Sequence, residues 1–274
     1  MFNNYLIEIT NVCNLVCPNC IRAETIRKPE VMKLGTLDSL LKTLTSKDPA
    51  MINKRMALHG YGEVFGLPNF CDYLDVFDKY KFSNCDFSTN GTLITEEAAK
   101  KILSKKCLSW VKVSLNSSRK EIHEALNRGS VYERVLDNIR VLVDVKQDLG
   151  SRTKIVVQLI KSNLNLDETK EEMWEKLNLP VEILINPLVR YREQTKNPPN
   201  VIPCKSGCVG YATHWLFIRS DGSMTGCCGD NGYSMLCGQF DDSFSYDHMI
   251  ETVDGYKSNP PKLCLTCIKE NGNV

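Results

Sequence analysis

Short apolar runs alternate with stretches whose apolar residues recur at helical spacing, from the first residues to about Pro187. That alternation predicts parallel βα units, because parallel strands are joined by crossover helices. The runs predict strands at Tyr5–Thr10, Met56–Gly60, Asn84–Thr89, Trp110–Asn116, Lys154–Lys161 and Val181–Pro187. Between the second and third, Asn69–Tyr80 sets Phe70, Tyr73, Leu74 and Phe77 on one helical face. Ser118 with Glu121, and Asn165 with Glu168, have the spacing of capping boxes at two further helix starts. Six successive units predict an α/β chain folded as a partial barrel or an open sheet.

In both architectures chemistry gathers where the strands' carboxyl ends meet the βα loops. Four polar loops occupy such positions here: Cys13–Cys20, Gly60–Glu63, Asn90-Gly91 and Ser114–Asn116. From Leu188 onward the pattern changes to Gly-, Asn- and Cys-rich sequence. One hairpin stands out there, Trp215–Ile218 and Met224–Cys227 around the turn Ser220-Asp221-Gly222. Two regions are therefore expected, 1–187 and 188–274.

The chain has 274 residues, 42% hydrophobic and 24% charged, which excludes disordered and fibrous classes. A net charge of +1 gives no support to a nucleic-acid partner. Ile155–Ile160, among the longest apolar runs, is interrupted by Gln158 and falls far short of the roughly 20 residues of a membrane span. Met1–Thr10 has neither a basic start nor an apolar core of secretory type, so a cytoplasmic protein is expected. Against that setting the 13 cysteines read as metal ligands before disulfides.

Cys13, Cys17 and Cys20 place three thiols within eight positions on one βα loop, with no fourth Cys or His nearby. Three thiolates on a cubane leave one iron open to a bound molecule. The C-x3-C-x2-C pattern after a first strand resembles the radical S-adenosylmethionine (radical SAM) superfamily. Three later segments strengthen the likeness: His59-Gly60-Tyr61-Gly62-Glu63, Thr89-Asn90-Gly91, and Ser114-Leu115-Asn116. The resemblance implies a partial (β/α)6 TIM-like barrel in which Cys13, Cys17 and Cys20 hold a 4Fe–4S cluster. It further implies that Gly60, Tyr61, Gly62 and Glu63 receive the methionine amine through backbone oxygen. Asn90, Ser114 and Asn116 would follow as SAM contacts, Arg128 as partner of the SAM carboxylate, and Gln158 and Asn163 as nucleoside contacts. Two positions depart from the usual pattern: Val64 replaces a proline, and Asn116 stands where many members have aspartate.

Seven cysteines follow residue 200: Cys204, Cys208, Cys227, Cys228, Cys237, Cys264 and Cys267. Cys208 with Gly222 and Cys227, and the closing pair Cys264 and Cys267, resemble the twitch or short SPASM domain. That likeness implies one auxiliary 4Fe–4S cluster on Cys208, Cys227, Cys264 and Cys267, in a small C-terminal iron–sulfur domain. Cys204 is left between a substitute for Cys208 and a spare, Cys228 is expected to face the core, and Cys237 is left between ligand and buried hydrophobe. Zinc in four cysteines has indistinguishable spacing. Cys71, Cys85 and Cys107 read as ordinary buried thiols.

The layout resembles 2-deoxy-scyllo-inosamine dehydrogenase-type enzymes. It implies a dehydrogenase-like radical SAM oxidoreductase: a 5'-deoxyadenosyl radical abstracts hydrogen from a small polar sugar-, cyclitol- or nucleoside-like substrate, and the auxiliary cluster accepts an electron. A flavodoxin- or ferredoxin-type donor is the implied electron source. His59, Arg190, Tyr191 and Arg192 are the substrate candidates. The rival enzyme reading is a maturase that crosslinks or epimerises a ribosomally made peptide. Against it, the first strand begins near Tyr5, which leaves no room for an N-terminal leader-binding domain. The rivals from other classes are a non-catalytic iron–sulfur electron carrier and a zinc-bound scaffold.

Overall fold

A computed structural model describes residues 2–25, 27–187, 215–230 and 232–265. The strands are β1 (Asn4–Ile7), β2 (Arg55–Ala57), β3 (Cys85–Thr89), β4 (Leu108–Ser114), β5 (Lys154–Lys161), β6 (Glu182–Pro187), β7 (Trp215–Ile218), β8 (Ser223–Thr225) and β9 (Leu236–Gln239). The helices are α1 (Leu34–Lys47), α2 (Phe70–Lys79), α3 (Glu96–Leu103), α4 (Lys120–Leu126), α5 (Tyr132–Asp148), α6 (Lys170–Leu177) and α7 (Tyr246–Ser258). The strands belong to one sheet of order β6-β5-β4-β3-β2-β1-β7-β8-β9. The strands β1 to β6 are parallel, as a partial TIM-like barrel requires, and among the described residues the sheet does not close.

Period-two alternation sends successive residues to opposite faces of each strand. Met56, Cys85, Phe87, Val111 and Val113 join a core with Leu41, Phe77, Ile102 and Ile139 from the helices. The other face carries Glu8, Asp86 and Lys112, each under 7% exposed, beside a smaller cluster of Ala57, Trp215 and Phe217. The inside of the partial barrel is therefore polar at β3, β4 and the end of β1, and aromatic beside β7.

The segment after residue 214 does not fold against the barrel from outside. Its first strand, β7, pairs in parallel with β1 (Leu6 opposite Phe217), and the hairpin with β8 turns at Gly222, whose φ of +82° suits glycine. Strand β9 and helix α7 escape the sequence pattern. Helix α7 is capped by Ser245, which accepts from the His248 N–H, and it buries Met249 and Val253.

Both expected capping boxes are replaced. Helix α4 starts at Lys120, because the Ser118 N–H and the Ser117 hydroxyl are taken by the buried Glu168 carboxylate. Asn165 makes a turn instead of a cap, accepting from Ser162 N at 2.6 Å and donating to Asn116 O at 2.7 Å. The box at the start of α6 is Thr169 with Glu172, four residues further on. Strand β4 ends at Ser114, two residues before the expected limit, where Asn116 takes a left-handed φ of 63°.

Candidate functional site

The loop after β1 carries Cys13, Cys17 and Cys20, each half-buried. It is fastened from several sides. Val12 O accepts from Glu63 N at 2.8 Å, Val16 N donates to Arg128 O at 3.1 Å, and Arg22 donates to Leu15 O at 2.6 Å. The Cys13 sulfur accepts from Leu15 N at 3.5 Å and from the Asn90 amide at 3.8 Å. Burial, and then the neighbouring Cys20 and Cys13, push the Cys17 thiol up to about 12. Burial disfavours the Cys17 and Cys20 thiolates, and a metal centre supplies the positive charge that would offset it. Among the described residues no three His, Cys, Asp or Glu side chains gather for a single metal ion. A cubane takes one thiolate per iron, and the three half-buried thiols on one loop supply three such donors, so the donor set fits an iron–sulfur cluster.

Gly60, Tyr61, Gly62 and Glu63 form the loop after β2, pressed against the cysteine loop. A Cβ on Gly62 would stand 2.3 Å from Thr10 O and 2.7 Å from Val12 O; one on Gly60 would stand 2.4 Å from Glu8 Cγ. Only glycine allows that approach. The Glu63 side chain is turned inward and buried, accepting from Phe65 N at 3.1 Å, Thr89 Oγ1 at 2.7 Å and Asn90 N at 2.7 Å. Burial pushes its carboxyl up, and these donors oppose the rise.

Further along the mouth, Ser114 lies opposite Gln158, and Asn116 N donates to Gln158 O at 3.0 Å. Asn116 is held by Asn127 at 2.9 Å, while its own Oδ1 is buried with no partner among the described residues, an acceptor suited to a ligand hydroxyl. Arg128 and Asn163 are exposed at the rim. The structure thus brings Gly60–Glu63, Asn90, Ser114, Asn116 and Gln158 to the same end of the sheet as the three cysteines. Arg190, Tyr191 and Arg192 lie outside the described residues.

Below the mouth, sequence reading missed a buried charge system. Glu8 accepts from Arg27 Nη1 at 3.1 Å, Tyr61 N at 3.1 Å and Ser220 Oγ at 2.9 Å. Burial alone would lower Arg27; Glu8 more than offsets it and holds the guanidinium charged. A second carboxylate, Asp86, binds Arg55 Nε at 2.5 Å and Lys112 Nζ at 2.7 Å. Burial would raise Asp86, but Arg55 and Lys112 keep it below its ordinary value. His59 sits beside this group and is pushed down to about 3, first by burial and then by Lys112. The available signal was a lone charge inside each apolar strand: Glu8 in Tyr5–Thr10 and Lys112 in Trp110–Asn116.

Of the expected auxiliary ligands, Cys208 and Cys267 lie outside the described residues, as does Cys204. Cys227 and Cys264 come together around Met235. Cys228 packs toward Ala57, Trp215 and Phe217, on the barrel side. Cys237 is 2% exposed in the main core, its thiol pushed up to about 12 by burial. Cys85 and Cys107 are fully buried, Cys71 half-buried.

The sequence model of the Radical SAM superfamily matches residues 7–173. The antilisterial bacteriocin subtilosin biosynthesis protein AlbA of Bacillus subtilis is 26% identical over 57% of this chain and 33% of its own length. The probable GTP 3',8-cyclase of Methanocaldococcus jannaschii is 26% identical over 61% of this chain and 52% of its own. The chain thus spans a third to about half of the length of these relatives. Among solved structures, native anSMEcpe with bound AdoMet superposes with a TM-score of 0.68 at 17% identity, covering 93% of this chain and 82% of the other. BtrN in complex with AdoMet and 2-DOIA superposes with a TM-score of 0.57 at 14% identity, covering 94% and 86%. At those identities the likeness is one of fold.

Proposed function

This chain belongs to the radical SAM superfamily, and from that premise we propose that it oxidises a small polar substrate by two electrons, beginning with abstraction of a substrate hydrogen. When bound, a 4Fe–4S cluster on Cys13, Cys17 and Cys20 together with SAM supplies reductive cleavage of the sulfonium and a 5'-deoxyadenosyl radical. The chain's own residues position, shield and aim. In this reading the backbone of Gly60–Glu63 receives the methionine ammonium, with Tyr61 covering it. Arg128 meets the carboxylate, Asn90, Ser114 and Asn116 meet the ribose and carboxylate, and Gln158 and Asn163 meet the nucleoside. The half-buried cysteine loop and the enclosed sheet face exclude water, which a reactive radical requires.

The observation that carries the reading is the docking of the glycine–glutamate loop on the cysteine loop, through Glu63 N to Val12 O and the glycine contact at Gly62. An electron carrier or a zinc scaffold has no use for a glycine–glutamate loop pressed against the loop that carries three thiols. For the region 188–274 we assign an auxiliary 4Fe–4S cluster on Cys208, Cys227, Cys264 and Cys267. The packing of Cys227 and Cys264 on Met235 supports it. When bound there, that cluster would supply a one-electron acceptor for the substrate once one hydrogen atom and one proton have gone. A flavodoxin- or ferredoxin-type protein is the proposed reductant of the first site.

A second reading, modification of a ribosomally made peptide, is favoured by a sequence relative named for bacteriocin biosynthesis. Anaerobic reconstitution, iron quantitation and a dithionite-driven assay for 5'-deoxyadenosine, with Cys17→Ala alongside, test the common core. About eight irons per chain, two clusters' worth, with nucleoside formation lost in the variant, is the expected result. Zinc without nucleoside would overturn it. Deuterium transfer into 5'-deoxyadenosine from labelled polyols or from labelled peptides separates the two substrate readings.

A further inference from the structure

We infer that the inner face of the barrel carries a subsite for a substrate carboxylate, built from Lys112 and His59. The inference rests on the proposed radical chemistry only for its substrate; the subsite itself is argued from the side chains present.

The register sets the position. Lys112 of β4 lies opposite Ser88 of β3, and Ala57 of β2 lies opposite Asp86. His59, two residues beyond Ala57, therefore stands level with Ser88, two residues beyond Asp86. His59, Ser88 and Lys112 thus form one row across three neighbouring strands on the inner face. Ser114, at the mouth, is two residues beyond Lys112, about 7 Å along the strand. The row lies directly beneath the segments assigned to SAM.

The charges set the chemistry. Asp86 is shared by two cations, Arg55 and Lys112, so these three groups carry one surplus positive charge. Lys112 is 6% exposed and gives one of its three N–H donors to Asp86 Oδ1. A buried ammonium is costly unless its donors are used. His59 adds a buried Nδ1 with no partner among the described residues. The ammonium repels a cation from this position, while a neutral imidazole can donate one N–H to an oxyanion that the ammonium also contacts. A carboxylate reaching this row places its neighbouring carbon toward the mouth.

Saturation-transfer difference NMR of acetate, with acetamide as its neutral isostere, tests the subsite on the full chain reconstituted anaerobically with SAM. A charge-assisted contact predicts about fivefold more transfer to acetate than to acetamide. The excess disappears in Lys112→Met, shrinks in His59→Gln, and survives in Lys101→Met, a change of a solvent-exposed lysine. Since Lys112→Met alone disturbs Asp86, the double variant Asp86→Asn/Lys112→Met, which keeps the surplus charge unchanged, is expected to lose the excess as well. Equal transfer from the two probes, or an excess retained in both Lys112 variants, overturns the subsite. Formation of 5'-deoxyadenosine by the same wild-type preparation reports separately on the radical chemistry. Nucleoside without an acetate excess removes the subsite alone, and an acetate excess without nucleoside removes the reaction alone.

Discussion

The Tyr61 hydroxyl donates to the carbonyl oxygen of Cys228 at 3.0 Å, joining the loop after β2 to the chain that follows the β7–β8 hairpin. Burial, and then Cys228, push the phenol up, so the proton stays on the donor. The Arg27 guanidinium lies 5.4 Å from the same ring centre. The two regions of the chain therefore meet at the loop assigned to methionine. Tyr61→Phe keeps the ring and removes the bond, so it is expected to cost about 1 kcal/mol in denaturant unfolding. It is also expected to weaken SAM binding measured by calorimetry. Unchanged values for both would show that the contact does not hold the loop.

Glu8 ties the same junction from beneath. Arg27→Met leaves that carboxylate buried with its cation gone, and breaking a buried pair from one side costs about 3–5 kcal/mol. Glu8→Gln/Arg27→Met removes both charges and is expected to recover much of the loss. The comparison is made by urea unfolding of the two variants beside wild type. A double variant no better than Arg27→Met would mean that the ion pair is not what holds the junction.

The glycines of the loop divide by what they touch. Gly62→Ala meets backbone oxygens of Thr10 and Val12, which cannot step aside, whereas Gly66→Ala enters open space. The first is expected to cost about 1–3 kcal/mol, as overpacking does, and to reduce 5'-deoxyadenosine formation. The second is expected to leave both unchanged. Assay and thermal unfolding of the pair check this, and equal effects would place the constraint elsewhere.

The parallel barrel was legible because period-two and period-3.6 patterns report burial on one face, and buried faces define strands and crossover helices. Strand β5 matched at both ends, since Lys154 and Lys161 bracket an apolar run interrupted only by Gln158. The three-thiol loop and the two-glycine loop were legible because spacing along a short loop fixes proximity. Asp86 and Lys112 were not, since they lie 26 residues apart in sequence and meet only through strand register. The same limit applies to Glu168 holding Ser117, a contact between two different βα loops. Strand β9 escaped because its Leu236-Cys237-Gly238-Gln239 sequence has no alternation to follow.

His59 provides a pH signature. Its imidazole titrates near 6.5 when unfolded and near 3 when folded, because burial and Lys112 disfavour the cation. The unfolded chain therefore binds the extra proton between those values. The contribution of His59 to stability is fully present above pH 6.5 and is lost as pH falls toward 3. The slope for one such proton is about 1.4 kcal/mol per pH unit. Urea midpoints of wild type should therefore fall more steeply from pH 7 to pH 5 than those of His59→Gln. Parallel curves would mean that the ring is solvated and titrates normally.

Asn116 separates backbone geometry from ligand contact. Its φ of 63° favours Asn or Gly, and its Oδ1 is the unpartnered acceptor at the mouth. Asn116→Gly accepts the backbone conformation and deletes the acceptor, while Asn116→Ala deletes the acceptor and adds strain of about 1 kcal/mol. Both should weaken SAM binding to a similar extent, by a hydrogen bond's worth of about 1 kcal/mol or fivefold in affinity. Only the alanine variant should also lose that additional backbone stability relative to glycine. Calorimetric binding and denaturant unfolding on the same preparations measure the two effects independently. If both variants bind SAM as tightly as wild type, the acceptor serves some other ligand, and the ribose assignment of Asn116 fails while its role in ending β4 stands.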